Sequence, residues 1–278
     1  MKDNRVLTGS LCALGCEVLY GLSYLFTKQT AETASPLALL GWRFVVALAA
    51  MSLCVALGFI PVRLKGRRLG PLLRVALFCP CLYFIGETVG IRETTVTESG
   101  VFLACVPALS LLASTVILKK KPTKRQIIGI LVTFLGVMTT VVAVGLSSSL
   151  SPVGYAALML AVVAYALYSV FVDLAADYTG AEITYVMLCS GAAFYGLLAL
   201  GEAAAHGALS ELLTLPARSG TFRMAVLYQG IGCLGGGVFP SQSGGAKNGG
   251  EKKTPVFRGF TNRFLFARAP GPGGTPYG

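Results

Sequence analysis

Glu17 and Glu87 are the side chains in this sequence best placed to do chemistry, because each lies inside a long run of apolar residues. A carboxylate at the centre of a bilayer costs about 2.5–3.5 kcal/mol on insertion scales, so it faces a polar cavity or a partner rather than lipid. Glu17, in the first apolar run, and Glu87, in the stretch Cys81-Leu-Tyr-Phe-Ile-Gly-Glu-Thr-Val-Gly90, are therefore candidates for coupling a proton or touching a substrate. The alternative for each is a protonated or paired carboxyl bonded to a neighbouring helix. Arg43, at the start of the second apolar run, can hold an anionic group or extend its guanidinium to the membrane interface, which is the commoner arrangement. Tyr20, Tyr24, Trp42, Tyr165 and Tyr168 can line a path through the bilayer, although aromatic residues in such segments more often pack or belt the interface.

Other kinds of chemistry lack their residues. The single histidine, His206, sits beside Glu202 in a polar stretch, and no nucleotide-cradling loop, metal-ligand spacing or nucleophile–base set occurs. The expectation is a protein that is not an enzyme and holds no metal or cofactor. The eight cysteines lie within or beside apolar runs without a C-x-x-C pair, which suits small hydrophobic side chains better than ligands or disulfides.

The elements that position these residues follow from composition. Of 278 residues 54% are hydrophobic and 13% charged, against roughly 25% charged in a soluble domain, and the mean hydropathy is +0.71. The apolar excess is distributed in blocks that predict membrane-spanning helices at 6–26, 37–60, 72–91, 96–118, 126–144, 152–171 and 183–200. Alternating strands of a barrel do not fit such uniformly apolar runs, so the expected class is all-α, a polytopic transmembrane bundle. Pro80 and Pro107 are expected to kink the third and fourth spans, and Gly129, Gly136, Ala161 and Ala164 to let helices approach closely.

The net charge of +11 is a topology signal rather than a nucleic-acid footprint, since the basic residues cluster between apolar blocks. Lys2 and Arg5, then Arg63 to Arg74, then Lys119 to Arg125 fall at alternate ends of the spans. The N-terminus is accordingly expected in the cytoplasm, although the loop after the sixth span offers Asp173 and Asp177 where basic residues are due.

Shifting the chain by 145 positions lays Tyr20-Gly-Leu-Ser-Tyr-Leu-Phe26 on Tyr165-Ala-Leu-Tyr-Ser-Val-Phe171. Five spans precede the second copy, so the copies enter the bilayer from opposite sides, as in inverted-repeat transporters. Tyr20-Gly21, Ser23, Lys28, Pro36 and Arg43, followed by Gln126 and Gly129, resemble the EamA-type permeases of the drug/metabolite transporter superfamily. Tyrosine stands at position 20 where that family usually has tryptophan, and Lys120 where it has glutamate. The resemblance implies ten helices in two inverted five-helix repeats, with a first repeat at 1–145 and a partial second repeat at 146–233.

Residues 234–278 break this pattern, with 12 glycines, 5 prolines, 6 lysines or arginines and 1 acid. The second repeat thus reads as incomplete, and the tail as disordered or as the product of a reading-frame change near Cys233. Read one base later, a permitted coding of the last nine residues yields Leu-Gly-Leu-Gly-Glu-Arg-Leu-Met, the motif type the family places after a fourth helix. The expected function is a secondary transporter, an exporter of a small metabolite or drug across the cytoplasmic membrane by alternating access, with little flux through this chain. Its expected partners are membrane lipid and a small-molecule substrate, with a homodimer open and nucleic acid excluded. The alternative is a non-transporting membrane scaffold or assembly partner.

Overall fold

The computed structural model describes residue 18 and residues 21–119, 121–144 and 151–232. Glu17 and Tyr20 lie outside the described residues, and so does the expected tail at 234–278. The described chain is helical throughout: α1 (21–29), α2 (Pro36–Ala56), α3 (Gly70–Glu93), α4 (Val96–Leu118), α5 (Lys124–Val144), α6 (Pro152–Leu174), α7 (Gly180–Ala205), α8 (Leu209–Arg218) and α9 (Gly220–Leu227). A wider turn, Tyr228–Gly232, continues α9.

Among the described residues α2, α3, α4, α6 and α7 are long and apolar enough to cross a membrane, and α5 carries a shorter apolar stretch, Gln126–Gly136. The short helix α8 was not expected from hydropathy. Its backbone is tied to the bundle where the Trp42 indole donates to the Leu212 carbonyl at 3.0 Å.

Local sequence sets where the helices begin. Ser35 and Ser151 each accept a hydrogen bond from the backbone three residues on, and each is followed by a proline whose missing N–H is harmless in the first turn. Thr95 with Glu98, and Thr179 with Glu182, form complete capping boxes at α4 and α7.

Pro80 and Pro107 interrupt their helices as expected. In α3 the segment Leu77–Leu82 is a wider turn broken at Cys79, whose backbone is extended (φ −141°, ψ 114°). In α4 the helix restarts at Val106–Leu118, with the proline in its first turn.

Packing is dominated by three helix pairs: α2 on α7, the second half of α3 on α6, and the second half of α4 on α6. The close approach of α3 and α6 requires Gly86, where a Cβ would stand 2.6 Å from the Ala157 carbonyl oxygen and 3.0 Å from the Ala161 amide. Ala161 and Ala164 are buried as expected. Gly129 and Gly136 do not admit a neighbouring helix among the described residues, where a Cβ at either meets nothing within 4 Å. They lie on α5, which among the described residues packs chiefly on the first half of α4.

Two stretches repeat one pattern. Positions 72, 75, 76, 79 and 80 are buried in α3, and positions 222, 225, 226, 229 and 230, each 150 residues later, are buried in α9 and its turn. Both stretches run into a wider turn.

Loops at opposite ends of the bundle are closed by different chemistry. At one end Arg67 of the 57–69 loop pairs with Glu182 at 3.0 Å, donates to the Asp177 carbonyl at 2.6 Å, and lies 4.3 Å over the Tyr178 ring. At the other end the Lys28 ammonium donates to the carbonyls of Ile91, Arg92 and Thr94, and Arg92 donates to the Ala31 carbonyl. Lys28 thereby caps the last turn of α3, where carbonyls lack helical partners. Lys28→Met is expected to lower stability by about 2 kcal/mol, in line with lost hydrogen bonds to a charged donor. Thermal unfolding in detergent checks this, and an unchanged midpoint would show the cap to be dispensable.

Candidate substrate site at the break in α3

At the break in α3 the Pro80 carbonyl accepts from the Tyr83 amide in a tightened turn. Irregular backbone inside a bilayer must be satisfied by the protein, and the fully buried Tyr195 of α7 adds to this by donating its hydroxyl to the carbonyls of Pro80, at 3.0 Å, and Cys81. The interruption is therefore held by the protein rather than left to solvent.

Beyond the break, α3 resumes with Tyr83, Phe84 and Glu87 within four residues of one another. Tyr83 and Glu87 stand one turn apart, and the Tyr83 hydroxyl donates to Glu87 Oε1 at 2.5 Å. Glu87 is 5% exposed and Arg43, from α2, 6%. The Arg43 guanidinium lies 4.4 Å from the centre of the Phe84 ring and within electrostatic reach of Glu87.

Aromatic rings wall the pair. Phe44 meets Phe84 edge-on at 5.2 Å and stacks on Tyr195 at 5.5 Å. On the α6 side Tyr83 meets Tyr165 at 5.3 Å, and Tyr165 meets Tyr168 at 5.3 Å. Such offset and edge-on contacts are the favourable aromatic geometries.

Of the sequence-predicted site residues, the fold brings Arg43 and Glu87 together. The expected extension of Arg43 to the interface is corrected. Arg43 stands about two turns into α2, roughly 10 Å along the axis at 1.5 Å per residue, and Phe84 covers it. Tyr83 was missed although its signal was available, since residues four apart on a helix meet. Phe84 and Tyr195 carried no such signal, because their partners come from other helices.

A buried cation and a buried carboxyl on facing helices, beside a break in one of them, define a multi-pass helical membrane protein with a polar site in its bundle. Residues 7–142 match the EamA-like transporter family, so the chain carries an EamA-like transporter domain. It is 27% identical over 235 residues to the uncharacterized transporter YcxC of Bacillus subtilis, covering 83% of this chain and 74% of that protein. An uncharacterized transporter of Archaeoglobus fulgidus is 26% identical over 152 residues, 55% of this chain and 52% of its own. A protein crystal structure of the same fold superimposes with a TM-score of 0.53 at 17% identity, covering 87% of this chain and 99% of that one.

Proposed function

We propose that the protein is a secondary transporter that moves a small metabolite or drug outward across the cytoplasmic membrane by alternating access, with its N-terminus in the cytoplasm. The observation that carries this reading is the charged pair Arg43–Glu87 buried beside a helix break, because broken helices and intramembrane charges mark transport sites.

The inverted-repeat reading is supported by which helices meet. If each helix of the first half corresponds to the one five places on, contact between the third and sixth spans has its counterpart between the eighth and the first. The sequence 220–232, which starts the eighth, meets α1 where Gln229 Nε2 donates to the Ser23 carbonyl at 3.0 Å and to Thr27 Oγ1 at 2.9 Å. Phe26 and Tyr228 face each other there at 4.8 Å. The α2–α7 contact is its own counterpart. A scaffold function would rest on the basic tail, which lies outside the described residues.

Binding is the first readout. A screen of small metabolites against the detergent-purified protein is expected to find solutes that raise its unfolding temperature, with the response weakened in Arg43→Gln. Counterflow of the bound solute in proteoliposomes, above the rate of protein-free vesicles, completes the test. Binding that survives Arg43→Gln unchanged removes that residue from the site, and binding without any counterflow sinks the transport reading.

A further inference from the structure

The guanidinium of the buried Arg43 makes no hydrogen bond and no ion pair within 4.0 Å among the described residues; it lies over the face of the Phe84 ring. A guanidinium carries five donors, and enclosing it without an acceptor costs several kcal/mol unless a counter-charge is near. Among the described residues, the titratable groups packed around this region are Cys79, Cys81 and Tyr83 of α3, Tyr195 of α7, Tyr24 of α1, Tyr165 and Tyr168 of α6, and Cys105 of α4. None of these is charged near neutral pH. Among the described residues, the counter-charge of Arg43 is therefore Glu87, whose Oε1 is already engaged by Tyr83.

Resting on the transporter reading of this site, we propose that Arg43 and Glu87 form a charge-exchange pair and that the substrate is a small organic monoanion with an apolar body, carried together with one proton. In the empty site Arg43 is balanced by the Glu87 carboxylate. When the anion seats on the free donors of Arg43, two negative charges would face one cation in a low-dielectric interior, a repulsion that favours neutralising one carboxylate. Glu87 takes a proton from water on the loading side, keeps its hydrogen bond with the Tyr83 hydroxyl, and returns the proton when the anion leaves on the other side. No bond other than the carboxyl O–H forms or breaks, and the cycle moves no net charge. Its direction is then set by the combined anion and proton gradients, which permits export of an accumulated product. Phe84, Phe44 and Tyr195 offer the apolar body an aromatic wall.

The test uses the full 278-residue chain and its single tryptophan, Trp42, which neighbours Arg43 in sequence and reports binding by fluorescence. The probes are phenylacetate, phenylacetamide and phenethylamine, which share one body and differ in charge. Phenylacetate is expected to bind about tenfold or more tighter than the amide or the amine, the effect of one charge-assisted hydrogen-bond set. Arg43→Gln should erase that preference and Arg43→Lys restore part of it. Titration calorimetry in two buffers of different ionisation enthalpy should show uptake of about one proton per anion by the unaltered protein. Glu87→Gln should still bind phenylacetate but take up none.

Equal binding of the amide, absence of phenylacetate binding, unchanged binding in Arg43→Gln, or no proton uptake by the unaltered protein would each overturn the proposal. Anion binding with proton uptake but no counterflow leaves the charge-exchange pair standing and removes the transporter. Counterflow of a neutral or cationic solute without anion binding does the reverse.

Discussion

Gly86→Val is expected to abolish recovery of a monodisperse protein from detergent-solubilised membranes. A Cβ at position 86 would press on the Ala157 carbonyl oxygen and the Ala161 amide, both backbone atoms of α6 that have no rotamer in which to escape. The two helices would have to separate along the contact that holds Tyr83 against Tyr165 and buries Leu158, Ala161 and Val162. Overpacking a well-filled core costs typically 1–3 kcal/mol. Against rigid backbone, alanine is expected at about the top of that range and valine beyond it.

Gly129→Val is the control. Position 129 is also a glycine in an apolar helical stretch, but among the described residues a Cβ there meets nothing within 4 Å, so size-exclusion behaviour and unfolding temperature should be nearly unchanged. Equal damage from both variants would show that the α3–α6 contact is not what limits the fold.

Glu182→Ala is the second large effect. The Glu182 carboxylate, 4% exposed, accepts from the Thr179 amide at 2.8 Å, the Arg63 amide at 3.3 Å and the Arg67 guanidinium at 3.0 Å. One side chain thus caps α7 and fastens the 57–69 loop to the α6–α7 turn. Losing the cap costs about 1 kcal/mol, and losing charge-assisted bonds at a nearly buried carboxylate raises the total to about 3 kcal/mol.

Arg67→Ala should cost only about 1 kcal/mol, because its side chain is 35% exposed and water replaces part of what it loses. Tryptic cleavage in the loop, at Arg63, Lys65, Arg67 and Arg68, should quicken in Glu182→Ala as the loop detaches. Cleavage as slow as in the unaltered protein would mean that other contacts hold this end closed.

How much of this was legible beforehand differs from residue to residue. The all-α bundle follows from apolar blocks alone, because a bilayer admits only structures that satisfy their own backbone, and five blocks stand as helices long enough to span. Glu87 could be singled out from its surroundings in sequence, since an ionisable group in such a run has few tolerable places to be. Pro80 and Pro107 announced their helix breaks for an equally local reason: proline lacks the donor and clashes with the preceding turn.

The inward faces were another matter. In a membrane helix the lipid-facing and protein-facing sides are both apolar, so hydropathy does not say which side turns in. Gly129 and Gly136 looked like packing residues, yet among the described residues a Cβ at either meets nothing, while Gly86, of the same type, admits α6. Likewise α8 escaped detection because it is short and amphipathic rather than uniformly apolar.

By itself, then, the sequence determined the solvent, the class of fold, the breaks and one buried carboxyl, since each depends on a residue and its immediate neighbours. Only the tertiary structure decided that Arg43 is buried over Phe84, that Tyr195 holds carbonyls 114 and 115 residues away, and that Arg43 and Glu87 share one site. Those facts depend on how helices distant in the chain rotate and cross, and that is settled by close packing of small residues such as Gly86 rather than by local composition.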